Sequence, residues 1–215
     1  VHVSGVTVTT ATLHNEEDLE RKDVREGDEV VVMRAGDVIP QVVSPIIQKR
    51  KKGARRARPP KKCPLCGTPT VKPDDGVFTI CPNRTGCPGQ QFQHVKHFRG
   101  ALEIEGLGEK NAYRFLDEGV IADAADIYDL TAERVSELEG FGEISAENLI
   151  AEIEGSKRKP FSRVLYALGI PGVGFVNAES LAEHFGTLDA LLAAQPEQIE
   201  EAEGIGPILA EQVKA

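Results

Sequence analysis

Cys63-Pro64-Leu65-Cys66-Gly67 and Cys81-Pro82-Asn83-Arg84-Thr85-Gly86-Cys87 contain all four cysteines of the chain. The spacing is C-x2-C-x14-C-x5-C, which is that of a structural zinc site. Two residues between thiolates let both sulfurs face one cation, and Gly67 allows the tight turn beyond the first pair. Four thiolates fill a tetrahedral shell and leave no position for a reacting water. The expected role is therefore structural, with Cys63, Cys66, Cys81 and Cys87 as ligands. Two disulfides are the other reading of four cysteines. That reading fits a secreted chain, and no signal peptide opens this one. The stretch from Pro59 to Phe92 has few apolar residues. It could not hold its shape through a core, so the metal supplies the folding energy.

The rest of the chain divides around this module. The 215 residues allow two or more small domains. There is no Trp and no apolar run of the ~18 residues a membrane helix needs, so no membrane partner is expected. The net charge of −9 hides an asymmetry. From Lys49 to Lys62 there are 9 basic residues and no acidic one, whereas residues 101–215 carry 8 basic and 23 acidic residues. The basic run, with Gly53, Pro59 and Pro60, reads as an exposed linker. It is either a polyanion tether or simply a solvated segment.

Ahead of it, residues 1–47 read as β-structure. Val6, Val8 and Thr10 alternate with Thr7 and Thr9, and Glu29–Arg34 and Val38–Ile47 are further strands. Asn15 is placed to cap a short helix running to Lys22. Three strands are too few for a closed barrel.

After His94 the pattern becomes helical and repeats. Gly106-Leu107-Gly108, Gly140-Phe141-Gly142, Gly172-Val173-Gly174 and Gly204-Ile205-Gly206 begin 34, 32 and 32 residues apart. Helical patterns flank each one, among them Phe161–Leu168, Phe175–Phe185 and Pro196–Ala202, and Pro196 and Pro207 suit a first helical turn. Glycine tolerates positive φ, so the chain can reverse between two helices, with the apolar residue plugging the helix–helix core. The reversal leaves backbone N–H groups exposed at the start of the second helix, a site for phosphate. Such a contact holds a sugar-phosphate backbone without reading bases. The alternative is a turn that only packs. Taken alone, these residues fit a helix-hairpin-helix DNA-binding module, or a scaffold whose acidic helices bind a basic protein.

The order of β-module, four-Cys zinc module and four hairpins resembles the central and C-terminal part of bacterial NAD-dependent DNA ligases. The resemblance covers essentially the whole chain. It is carried by Val6-Thr7-Val8 through Ala11-Thr12-Leu13-His14-Asn15, by Arg34-Ala35-Gly36-Asp37-Val38-Ile39-Pro40, and by the cysteines with Cys87-Pro88-Gly89-Gln90. Ile104-Glu105-Gly106-Leu107-Gly108, Gly140-Phe141-Gly142-Glu143 and Gly204-Ile205-Gly206-Pro207 complete it.

The resemblance implies a multidomain chain: a partial β OB-fold barrel at 1–48, the basic linker at 49–62, a small four-Cys zinc finger at 63–92, and an all-α tandem helix-hairpin-helix domain at 93–215. It implies a DNA-holding part of an enzyme that joins a 5′-phosphate to a 3′-hydroxyl in nicked duplex during replication and repair, in the bacterial cytosol and at the nucleoid. One structural zinc is implied here. NAD and Mg2+ belong to the parent enzyme and its upstream adenylation domain. Arg34, Val38 and Ile39 would face DNA from the barrel, and the eight hairpin glycines would face phosphates. Val38 and Ile39 also suit ordinary strand core. The adenylation motif Lys-x-Asp-Gly is missing, since Lys72-Pro73-Asp74-Asp75-Gly76 has its glycine one residue late and reads as a turn. The chain is accordingly expected to be a fragment, inactive alone. Ile144 stands where the family commonly has a basic residue.

Overall fold

The structure is a computed structural model that describes residues 2–3, 6–35, 39–74 and 76–215. The chain forms two compact units, Val1–Arg84 and Thr85–Ala215.

The first unit is built on short strands. β1 (His2–Val3) pairs antiparallel with β2 (Val6–Thr7), and β3 (Val30–Ala35) pairs antiparallel with β4 (Ile39–Pro45). The β3–β4 register shifts between Val31 and Val32. The free edge of β4 takes one further segment, with the Thr12 N–H donating to the Pro40 carbonyl and the Val42 N–H to the Thr12 carbonyl. Among the described residues of this hairpin, Val42 is the buried one. α1 (Glu16–Arg21) begins where its cap predicts, with the Asn15 side chain accepting from the Asp18 N–H at 2.9 Å.

The basic run departs from the expected free linker. Ile47–Lys49 is a 3-10 turn, and Arg50 is clamped between two carboxylates. Its guanidinium donates to both oxygens of Asp28 at 3.0 and 2.9 Å and to Asp23 at 2.6 Å. The Asp28 side chain is only 1% exposed, so charge pairing is what allows its burial. Lys49 pairs with Glu29, and Arg56 with Asp23. The physical reason is bidentate geometry, which the planar guanidinium offers and a plain count of charges ignores. Lys51, Lys52, Arg55, Arg58, Lys61 and Lys62 remain exposed.

This clamp makes the first unit acid-sensitive. Hydrogen bonds from Arg25 and then Arg50 hold the Asp23 carboxyl at about 2, and Lys22 with Arg21 holds Asp18 at about 2. Arg50 lowers Asp28 as well. A depressed carboxyl contributes stability above its unfolded value near 3.8 and loses it as pH falls toward the folded value. The protection of β3 amides against hydrogen exchange, relative to their intrinsic rates, is therefore expected to fall between about pH 4 and pH 2. Arg50→Met is expected to lower that protection at neutral pH and to flatten its acid dependence. An unchanged acid profile in the variant would contradict the clamp.

The zinc segment has almost no core. Cys63 is buried, while Leu65, Val71, Val77, Phe78 and Ile80 are exposed. Its regularity is two short antiparallel bridges: Val71 and Ile80 exchange hydrogen bonds at 2.9 and 2.8 Å, and around Lys62 and Pro69 the Cys63 N–H donates to the Thr68 carbonyl at 2.8 Å and the Thr70 N–H to the Lys61 carbonyl at 3.1 Å. The Gly76 N–H donates to the Pro73 carbonyl, so the Lys72-to-Gly76 stretch does turn, although Asp75 lies outside the described residues. The segment leans on α1, with the Thr79 hydroxyl donating to Glu16 at 2.9 Å and Lys72 pairing with Glu17 at 2.9 Å.

The second unit is helical: α2 (Pro88–Ala101), α3 (Glu109–Asp117), α4 (Ala132–Ser136), α5 (Glu143–Ser156), α6 (Phe161–Ala167), α7 (Phe175–Phe185), α8 (Leu188–Ala193), α9 (Pro196–Ile199) and α10 (Pro207–Lys214). α2 starts ahead of the boundary expected at residue 93, because Pro88 occupies the first helical turn. Two buried clusters hold the unit together. The first gathers Val95, Ile104, Leu107, Phe115, Leu149 and Ile153 among others, and the second Leu165, Val173, Leu181, Ile199 and Ile205. Each cluster contains two of the four hairpins. Among the described residues no helix is long and apolar enough to cross a membrane.

Candidate metal centre and nucleic-acid interface

The four sulfurs of Cys63, Cys66, Cys81 and Cys87 all lie within 4.8 Å of one another, and none of the cysteines forms a disulfide. Zinc–thiolate bonds of about 2.3 Å in a tetrahedron place sulfurs about 3.8 Å apart. Cys66 Sγ and Cys81 Sγ are 3.6 Å apart, and a disulfide would bring them to about 2.05 Å. The knuckle closes as expected, with the Gly67 N–H donating to the Cys63 carbonyl at 2.9 Å and Gly67 at φ +73°. The Thr68 hydroxyl lies 3.2 Å from Cys66 Sγ. Hydrogen bonds from Thr68 lower the Cys66 thiol to about 6, which favours the thiolate that a metal needs. The donor set is that of a structural zinc site.

The four glycine corners share one geometry. Gly106, Gly140, Gly172 and Gly204 have φ of +80°, +82°, +79° and +77°, a conformation that side-chain-bearing residues disfavour. The second glycines do not share it. Gly108, Gly142, Gly174 and Gly206 are extended and cap the following helix. A Cβ added at any of these four would meet nothing within 4 Å. The first glycine thus makes the turn, and the second keeps the approach to the helix N-terminus open. All eight are exposed. Leu107, Val173 and Ile205 are buried plugs, and Phe141 packs partly against the first cluster.

The corners are unequal in chemistry. In hairpins 1 and 3 an asparagine at the third helical position, Asn111 or Asn177, donates to the carbonyl of Gly106 or Gly172, each at 3.1 Å. In hairpin 2 the Gly142 N–H already donates to Ser145 Oγ at 2.9 Å. In hairpin 4 Pro207 removes an amide altogether. The second helical position is Lys110 in hairpin 1, but Ile144, Val176 and Ile208 in the others, 76%, 74% and 79% exposed. First-turn amides have no intrahelical acceptor, so Glu109, Lys110 and Asn111 in hairpin 1 present the fullest set of donors.

Comparison with known proteins follows the same divisions. Residues 1–54 match the NAD-dependent DNA ligase OB-fold domain, and residues 62–88 match the NAD-dependent DNA ligase C4 zinc finger domain. The chain carries domains of the NAD-dependent DNA ligase family. Residues 98–154 match a SAM-like helix-hairpin-helix tandem, and residues 163–215 a helix-hairpin-helix motif. A DNA ligase of Rubrobacter xylanophilus is 47% identical over 215 residues, 99% of this chain and 31% of the relative. DNA ligases of Coxiella burnetii and Roseiflexus sp. are 48% and 45% identical over 217 residues, covering 100% of this chain and 32% and 30% of their own lengths. The chain thus spans about a third of the length of the relatives it matches.

Against these ligase domains, the residues expected to face DNA from the barrel are placed unevenly. Ile39 opens β4 and is 59% exposed. Arg34 is described only as backbone within β3, paired with Pro40, and Val38 lies outside the described residues. Sequence reasoning missed Asn111 and Asn177. Both stand five residues after the first glycine of their repeat, a signal that aligning the four repeats would have exposed.

Proposed function

We propose that this chain holds nicked duplex DNA for an NAD-dependent DNA ligase, so that a 5′-phosphate and a 3′-hydroxyl can be joined. The observation that carries the reading is the set of four exposed glycine corners, each opening a helix, since first-turn amides have no acceptor within their own helix. Amides of this kind bind phosphate through hydrogen bonds and the helix dipole, which suits a unit with few lysines. At least two of the four corners, Gly106–Gly108, Gly140–Gly142, Gly172–Gly174 and Gly204–Gly206, act in this way. Lys51, Lys52, Arg55 and Arg58 add unpaired charge, and Arg34, Val38 and Ile39 meet the duplex from the β-module. The zinc site shapes its segment and takes no part in chemistry. NAD and Mg2+ act on the adenylation domain of the whole enzyme, the partner of this chain, in the bacterial cytosol and at the nucleoid.

Binding to a nicked duplex at low salt, weakening steeply as salt rises, is the first expected result. Nick sealing on mixing the chain with a separately made adenylation domain is the second. Binding without sealing would favour a stand-alone DNA-binding module. No binding even at low salt would leave the acidic helices as a protein scaffold and overturn the reading.

A further inference from the structure

The four cysteines are not equally placed. Cys63 and Cys87 are buried, at 8% and 2% exposure, whereas Cys66 and Cys81 are only half-buried. The sulfurs of this less buried pair are in contact at 3.6 Å, and both residues belong to the first unit. A second tie holds their loops together. The Thr68 hydroxyl, two residues after Cys66, lies 3.2 Å from the Cys66 sulfur. It also accepts from the side-chain amide of Asn83, two residues after Cys81, at 3.4 Å.

The surroundings suit reactive sulfur. Residues 61–73 and 77–92 carry Lys61, Lys62, Lys72 and Arg84 and no carboxylate. The carboxylates that reach the segment from α1, Glu16 and Glu17, are engaged by Thr79 and Lys72. Partly exposed thiolates among cations are the reactive ones, and buried structural cysteines are inert. Between Cys66 and Cys81 in the chain lies the Val71–Ile80 bridge, so a bond between the two sulfurs would enclose it.

We infer that Cys66 and Cys81 form a redox-modification site, which a peroxide converts to a disulfide and which thereby gives up the metal. The step balances on the two sulfurs. One thiolate attacks a peroxide oxygen, the O–O bond breaks, and a sulfenic acid forms with loss of hydroxide. The other thiolate attacks that sulfur, the S–S bond forms, and a second hydroxide leaves. Two electrons pass from the sulfurs to the peroxide, and two solvent protons turn the hydroxides into water. Cys63 and Cys87 remain as thiolates, and two ligands do not complete a tetrahedral shell. A dithiol reverses the change by exchange. The oxidised segment keeps the enclosed Val71–Ile80 pairing without its metal, unlike a segment stripped by a chelator. This site is separate from the glycine corners and from duplex binding.

The test adds one equivalent of hydrogen peroxide to the zinc-loaded 215-residue chain. The parent chain is used because loss of either cysteine is expected to unfold the segment. An indicator dye follows metal release, and remaining thiols are alkylated before peptide mapping without reductant. Release is expected in step with a single disulfide, Cys66–Cys81, with Cys63 and Cys87 alkylated, and a dithiol with added zinc should restore the loaded chain. Retention of the metal, release with no disulfide, or a first disulfide through Cys63 or Cys87 overturns the inference. Hydrogen exchange gives a second readout. Val71 and Ile80 amides are expected to stay protected after peroxide and to lose protection under a chelator, and equal loss under both refutes the enclosed ring.

Discussion

A strong chelator unfolds the segment between Cys63 and Cys87 and releases one zinc ion per chain, and Cys81→Ser does the same without a chelator. The expected loss is on the order of 10 kcal/mol, since binding free energy at such sites is folding free energy. The size follows from what else holds the segment. Its large apolar residues, Leu65, Val71, Val77, Phe78 and Ile80, are exposed. Its internal backbone ties are few, chiefly the Val71–Ile80 and Lys62–Pro69 bridges and the knuckle. Contacts from Glu16 and Glu17 to Thr79 and Lys72 are surface interactions, which solvent screening leaves weak. Released metal, together with hydrogen exchange at Val71 and Ile80, reads the outcome. Retained protection after the metal has gone would mean that the polypeptide holds this shape without its tetrathiolate centre.

Leu107→Ala should cost about 2–5 kcal/mol, a large share of the 5–15 kcal/mol typical of a domain. Leu107 is 0% exposed and belongs to the cluster with Ile104, Ala112, Phe115 and Leu149. Truncating it opens a cavity directly under the first glycine corner. A Cβ on Gly106 would come within ordinary contact of Leu149, at 3.7 Å, which places the corner close to this cluster. The denaturant midpoint of the second unit measures the loss, and duplex binding should weaken with it. A loss below about 1 kcal/mol would show that the plug is not what sets the hairpin.

The elements that the sequence made legible are those with a local cause. Asn15 caps α1, Pro196 and Pro207 sit in first helical turns, and Phe175–Phe185 is a helix over the expected span. The cysteine spacing and the glycine period each encode a unit whose geometry a few residues decide. What stayed hidden depends on partners far apart in the chain. Arg50 finds Asp23 and Asp28, 27 and 22 residues away, so a run of like charge read as a linker is partly a clamp. Arg99 and Arg163 line one cavity although they stand far apart in the chain, on either side of an acidic stretch. No periodicity signals such pairings. Pro88 opens α2 directly after the last cysteine, so the metal-site motif hides a helix start that proline otherwise signals.

The amide signals of Gly108, Glu109, Lys110 and Asn111, followed by nitrogen-15 NMR during titration with a nicked duplex at low salt, test the central claim most directly. The account predicts that these four shift strongly and exchange more slowly with solvent once the duplex is bound. Unmoved corner amides in a chain that still binds the duplex, with changes confined to the basic residues between Lys49 and Lys62, would contradict it.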